Sequence, residues 1–190
     1  RFFDLVATQV LEYLKNKTNM NFKTAVDVGC LYGHLVKKLY DSGVDVFGIE
    51  KDEDTKPFRI TDKIEYREFD ENTKLDKKFD LICLTQMIYY VKNPELVLKY
   101  CVDLLNPKGL LFISTQDPDS PYIREFPEIF RAATNTDLYD ALGIKHTIKH
   151  RFAKRTTMMK FRSFIRARRV AMRVDVNHRN RFFAADGFQN

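Results

Sequence analysis

No run of apolar residues in this sequence approaches the roughly 20 that a membrane-crossing helix needs; the longest, such as Gly109 to Ser114, last only a few residues. Internal repeats, low-complexity tracts and convincing linkers are absent too, so nothing divides the chain. The chain begins at Arg1 rather than Met and opens amphipathically, without the charged-then-apolar order of a signal peptide. Cysteine is scarce: Cys30, Cys83 and Cys101 are odd in number and lack metal-ligand spacing. Cys83 falls in a strand-like apolar run and Cys101 in a helix-like one, as suits small buried side chains. Without a disulfide framework, the expected setting is a reduced, cytoplasmic compartment. No metal site is expected, because His146, His150 and His178 are wrongly spaced among basic residues.

What is present fits one soluble globular domain over 1–190. The net charge of +6 is unevenly placed. Between Lys145 and Arg181, Lys and Arg are opposed only by Asp175, while the rest of the chain is slightly acidic. Such a stretch is either a solvated basic face or a surface for an acidic partner.

Phe2, Phe3, Leu5, Val6, Val10, Tyr13 and Leu14 recur at three- and four-residue steps, which predicts an amphipathic helix over 2–16. A strand over Lys23–Val28 then runs into a tight turn. A helix over His34–Tyr40 stops at Gly43, and a second strand, Val44–Ile49, closes at Glu50. Residues 51–62 are polar and carry Pro57, so any helix there is short or irregular. A third strand spans Lys63–Phe69 and a fourth, almost wholly apolar, Asp80–Leu84. Pro94 starts a helix, and Asn106-Pro107-Lys108-Gly109 hands over to a fifth strand, Leu110–Thr115. This alternation predicts an α/β fold with a doubly wound parallel sheet. Later signals are weaker: a helix over Thr136–Leu142, strands over His146–Phe152 and Phe182–Ala185, and a basic helix over Met158–Met172.

In such sheets a ligand binds beyond the carboxyl ends of the strands, where the strand order reverses. The unusual residues of this chain cluster there. Asp27-Val28-Gly29-Cys30-Leu31-Tyr32-Gly33 ends the first strand, Glu50 the second and Asp70 the third; Thr85, Gln86 and Met87 follow the fourth. Gly29 and Gly33 permit a sharp turn and close approach. Glu50, about 20 residues beyond that turn, is placed to accept hydrogen bonds from both hydroxyls of a ribose, and Asp70 to accept from the exocyclic amine of adenine. Singly, each has a plainer reading: a turn that needs glycine, a solvated acid opening a loop, a cap on the next turn. Their order along the chain favours a nucleoside site.

These segments, with Val46-Phe47-Gly48-Ile49-Glu50, Phe79-Asp80-Leu81-Ile82 and Leu104-Leu105-Asn106-Pro107-Lys108-Gly109, resemble the successive motifs of class I methyltransferases that use S-adenosylmethionine (SAM). The resemblance covers about residues 20–115. It implies a three-layer Rossmann-like fold with a seven-stranded, mostly parallel sheet whose last strand is antiparallel. A cap helix would occupy 1–18, the cofactor core 20–115 and an acceptor-side region 116–190. It also implies that SAM is bound and S-adenosylhomocysteine released. Asp27, Gly29 and Gly33, with Cys30 in the same turn, would surround the methionine part, Glu50 would hold the ribose, Asp70 would lie near adenine, and Thr85 and Gln86 would flank the cofactor. Leu31 stands where many members carry a further glycine. Gln86-Met87-Ile88-Tyr89-Tyr90-Val91 is similar to a stretch of histamine N-methyltransferase-like enzymes, which points to a small-molecule acceptor.

Methyl transfer from a sulfonium is an in-line displacement that needs alignment more than proton transfer. No catalytic triad is present. Tyr90, Tyr89 and Gln86 after the fourth strand are the acceptor-side candidates, with Tyr32 and His34 near the glycine turn and Asp117 and Asp119 beyond the fifth strand. The expected function is methyl transfer to nitrogen or oxygen of a small molecule. One alternative is an RNA or cap methyltransferase that grips phosphates through 145–181, where Phe161 and Phe164 lie near Arg162 and Arg166-Ala167-Arg168-Arg169. Another is a non-catalytic SAM-binding scaffold. A nucleotide-dependent dehydrogenase is disfavoured, because Leu31 replaces the second glycine of G-x-G-x-x-G.

Overall fold

The computed structural model describes residues 2–18, 21–116, 167–174 and 182–185, with side chains described for 2–16 and 21–114. The elements are α1 (Phe2–Thr18), β1 (Thr24–Val28), α2 (His34–Asp41), β2 (Asp45–Glu50), a 3-10 turn over Glu53–Phe58, β3 (Ile64–Tyr66), β4 (Phe79–Thr85), a second 3-10 turn over Ile88–Tyr90, α3 (Pro94–Asp103) and β5 (Leu105–Gln116). These five strands form a parallel sheet in the order β3-β2-β1-β4-β5. The fold is a Rossmann-like α/β arrangement, and its strand order reverses between β1 and β4.

The central strands read as apolar because both of their faces are covered. Val26 and Val28 of β1, with Ile82 and Leu84 of β4, pack against Val97, Leu98 and Cys101 of α3. The intervening Ala25, Leu81 and Cys83 turn to the other face, where they meet Val10 and Leu14 of α1 and Leu35, Val36 and Leu39 of α2. Burying side chains of this size contributes about 1.5–3 kcal/mol each.

The observed boundaries depart from the sequence reading in ways that have local causes. The third strand, expected over Lys63–Phe69, pairs only over Ile64–Tyr66. It is an edge strand, and its partner β2 ends at Glu50, opposite Tyr66; the Arg67 N–H then donates to the Glu50 carbonyl at 2.9 Å. The fifth strand begins earlier than Leu110. Leu105 pairs with Phe79 and Leu110 with Leu81, so Asn106–Gly109 bulge out within the strand, with Lys108 at φ +66°.

At the outer edge of β5 the backbone of β6 (Ala167–Val174) pairs antiparallel, and β7 (Phe182–Ala185) pairs antiparallel to β6. The expected basic helix over Met158–Met172 is therefore corrected over Ala167–Met172, which is strand. The long edge of β5 offers a row of backbone donors and acceptors that a strand satisfies and a helix does not. The expected helix over Thr136–Leu142 and strand over His146–Phe152 lie outside the described residues, as do Asp117, Asp119, His146, His150 and His178. Among the described residues no helix is long and apolar enough to cross a membrane.

Candidate functional site

The carboxyl ends of β1 to β4 open on one cavity of about 790 Å³, and α1 closes one side of it with Phe2, Phe3, Val6, Ala7 and Val10. Of the residues singled out in the sequence, Asp27, Gly29, Cys30, Glu50, Asp70, Thr85, Gln86, Tyr89 and Tyr90 all line it, with Tyr32 and His34.

Asp27 is only 2% exposed, and its Oδ1 has no hydrogen-bond partner. Burial, reinforced by repulsion from Glu50, pushes its carboxyl up to about 8. Glu50 is buried as well, but differently supported. Its Oε1 accepts from the N–H groups of Lys51 at 2.9 Å and Asp52 at 3.0 Å, and its Oε2 from Leu31 N–H at 2.8 Å. With a single donor on it, Oε2 retains capacity to accept another. The turn after β1 is thus laced to the end of β2, and Gly29 N–H adds a bond to the Ile49 carbonyl at 2.8 Å.

The two glycines serve different ends. Gly29 adopts φ +71°, and a Cβ there would lie 2.7 Å from Met87 Cβ. Gly33, also left-handed at φ +81°, does not line the cavity: a Cβ there would meet Thr61 and Ile64 behind the turn. Its carbonyl accepts from Lys37 N–H at 2.9 Å, so it shapes the entry to α2. Between them Leu31 takes φ +52°, a conformation that costs a side-chain-bearing residue about 1–2 kcal/mol.

Asp70 lines the cavity and also holds its own turn. Its Oδ1 accepts from Asn72 N–H at 2.9 Å and Thr73 Oγ1 at 3.0 Å, and these bonds hold its pKa below the usual carboxylate value. Both readings of this residue are therefore compatible with its position. At the end of β4, Thr85 Oγ1 is buried with no partner. Gln86 follows at φ +58°, tied to β5 by its N–H to the Ser114 carbonyl at 2.9 Å and by Nε2 to Ser114 Oγ at 3.2 Å. The Tyr89 hydroxyl donates to Gln86 Oε1 at 3.2 Å; the Tyr90 ring, tilted by 55° against Tyr89 with centroids 4.6 Å apart, is 55% exposed.

On the α1 side, Phe3 lies edge-on to Tyr32 and stacks on His34. Burial lowers the His34 pKa, and its buried Nδ1 lacks a hydrogen bond, with Asp4 Oδ1 3.9 Å away; Asp4 itself pairs with Lys38 at 2.8 Å. Among the described residues no group of three His, Cys, Asp or Glu is placed to hold a metal ion.

Sequence reasoning passed over Ser114, Phe2 and Phe3. Ser114 carried a signal, a hydroxyl closing an otherwise apolar strand. Phe2 and Phe3 did not, since their pattern only says that one helix face is apolar.

A reversal-point cavity with a glycine turn, a buried acid on β1 and an acid ending β2 defines the class I SAM-dependent methyltransferase type. The comparisons agree, and the chain belongs to the methyltransferase-domain family, which matches residues 2–156. A curated relative, a ubiquinone biosynthesis O-methyltransferase of Actinobacillus pleuropneumoniae, is 34% identical over 121 residues, 55% of this chain and 51% of that protein. The chain spans about half the length of the curated relatives it matches. Among solved structures, a SAM-dependent methyltransferase from Archaeoglobus fulgidus matches with a TM-score of 0.60 at 16% identity, covering 74% of this chain and 67% of that one. The N-methyltransferase NodS from Bradyrhizobium japonicum matches at 0.57 and 18%, covering 74% and 81%. NodS has also been solved with S-adenosyl-L-homocysteine bound; that structure matches at 0.55 and 17%, covering 73% and 71%.

Proposed function

We propose that this protein transfers a methyl group from SAM to an oxygen or nitrogen atom of a small-molecule acceptor. The observation that carries the reading is the pair of buried carboxyls, Asp27 and Glu50, facing one cavity at adjoining strand ends. An unpartnered acid atom suits a cationic ligand, and an acid with spare acceptor capacity suits a sugar hydroxyl. SAM offers both. The O-methyltransferase relatives favour oxygen as the acceptor atom.

In this reading Asp27, Gly29 and Cys30 surround the methionine part, Glu50 holds the ribose, Asp70 lies beside adenine, and Thr85 and Gln86 flank the cofactor. When bound, SAM supplies an activated methyl on an excellent leaving group. The protein's own contribution is to align the acceptor and exclude water. Phe2, Phe3 and Val6 give an apolar wall for this, and Tyr89 and Tyr90 a second surface that the acceptor would touch. The edge beyond β5 would complete a seven-stranded sheet with its last strand antiparallel to its neighbour.

A surplus of acidic over basic side chains around the cavity supports a small acceptor over the polyanionic RNA alternative. The non-catalytic alternative differs in one outcome, cofactor binding without transfer. Calorimetric titration with SAM and S-adenosylhomocysteine tests the reading. Micromolar binding, weakened at least tenfold in Glu50→Gln, is expected, followed by label transfer from methyl-labelled SAM to a member of a phenol and amine panel. Folded protein that binds neither compound would overturn it.

A further inference from the structure

The two carboxyls of the cavity are not equivalent, and their difference has a chemical consequence. In the parallel register Asp27 lies opposite Gly48 of β2 and Cys83 of β4. Glu50 is two residues beyond Gly48, so its side chain leaves the same face of the sheet. Glu50 has three backbone donors to hold its charge; Asp27 Oδ1 has none. The titratable groups that bear on Asp27 are Glu50 from β2, Cys30 from the turn and Cys83 from β4. Cys30 and Cys83 are buried thiols whose pKa values are pushed up, first by burial, so neither carries charge. The facing part of α1 brings Ala7 and Val10, which are apolar. Among the described residues no cation acts on Asp27.

Two acids that share a buried site without a counter-charge cannot both ionise cheaply, so one keeps a proton. The hydrogen bonds assign the charge to Glu50 and the proton to Asp27. Resting on the reading above, we infer that Asp27 is protonated in the cofactor-free protein and releases that proton to solvent as the cationic end of SAM arrives, so that cofactor capture and proton release are a single event. The balance is simple: a neutral acid and a cation become a carboxylate paired with that cation, and one proton leaves. Its raised pKa, about 8, places the release within the neutral range. Cofactor affinity then rises with pH, by up to roughly tenfold per unit below that value.

The experiment is calorimetric titration of SAM at pH 6.5 in phosphate and in a buffer of high ionisation enthalpy, on the wild-type chain and on Asp27→Asn. At that pH a ligand α-amino group, near 8 when unperturbed, remains largely protonated. The expected result is release of close to one proton per SAM in the wild type and near zero in Asp27→Asn. Should the variant not fold, difference infrared spectra of the wild type labelled with carbon-13 aspartate give the same answer, through loss of a carboxylic-acid C=O band on adding SAM. Binding with no buffer dependence and no lost band would overturn the inference while leaving the cofactor reading intact. Absence of binding at every pH would overturn both.

Discussion

A β-carbon at position 29 would press on Met87, and the left-handed backbone there penalises it again. Gly29→Ala is therefore expected to destabilise the fold by about 1–3 kcal/mol, and to displace Met87 towards the cavity. Urea denaturation measures the first effect and SAM titration the second; an alanine variant as stable and as tight-binding as wild type would contradict the geometry. Asp27 makes an opposite prediction for stability. Its folded-state pKa of about 8 lies above the unfolded value of 3.8, so the native state holds a proton that the unfolded chain gives up between those values. The contribution is fully present below pH 4 and is lost as pH rises towards 8. Without cofactor, Asp27→Asn is thus expected to be more stable than wild type at pH 7, with a flatter stability profile over pH 4–8, as thermal unfolding at several pH values would show. An acid that weakens the empty fold and serves the ligand is a common bargain at binding sites.

At the end of the sheet opposite the cavity, elements are joined by a side chain whose loss should be felt across strands. Asp80, the second residue of β4, accepts from Lys23 N–H at 2.8 Å and Thr24 N–H at 3.1 Å, and accepts from Asn106 Nδ2 at 2.8 Å. It ties the start of β1 to the bulge in β5. Asp80→Ala is expected to cost about 2–4 kcal/mol, because the three donors lose a charged acceptor, with little change in SAM affinity at temperatures where the variant is folded. Burial opposes ionisation of Asp80, but these hydrogen bonds outweigh it and hold its pKa below 3.8. Its stabilisation is consequently present above the unfolded pKa and is lost as pH falls through the lower folded one. Wild type should lose its stability advantage over Asp80→Ala in acid, which paired denaturation curves at pH 7 and pH 3 would reveal.

Across the whole molecule, charge is segregated. The chain carries +6, yet the cavity is lined by Glu50, Asp52, Glu68, Asp70 and Glu71 against Lys51, Arg67 and Lys92, even with Asp27 left out as a neutral acid. Such a lining attracts a cationic cofactor through a field that salt screens. Raising ionic strength from 0.05 M to 0.5 M is expected to weaken SAM binding by about two- to tenfold, with less effect on uncharged adenosine. Equal salt sensitivity of the two ligands, followed by calorimetry, would argue against this field.

The sequence by itself determined the alternation of strands and helices, the glycine turn and the acids at the strand ends. Each follows from local rules: period, turn conformation and the distance from one strand end to the next. Only the tertiary structure decided that a Cβ at Gly33 would meet Thr61 and Ile64, that Ala167–Met172 extends the sheet, and that Ser114 fixes Gln86. The same holds for the contrast between Asp27 and Glu50. Two carboxyls that look alike in the chain differ once folded, because backbone N–H groups from a neighbouring turn reach one of them and leave the other buried without a donor on Oδ1.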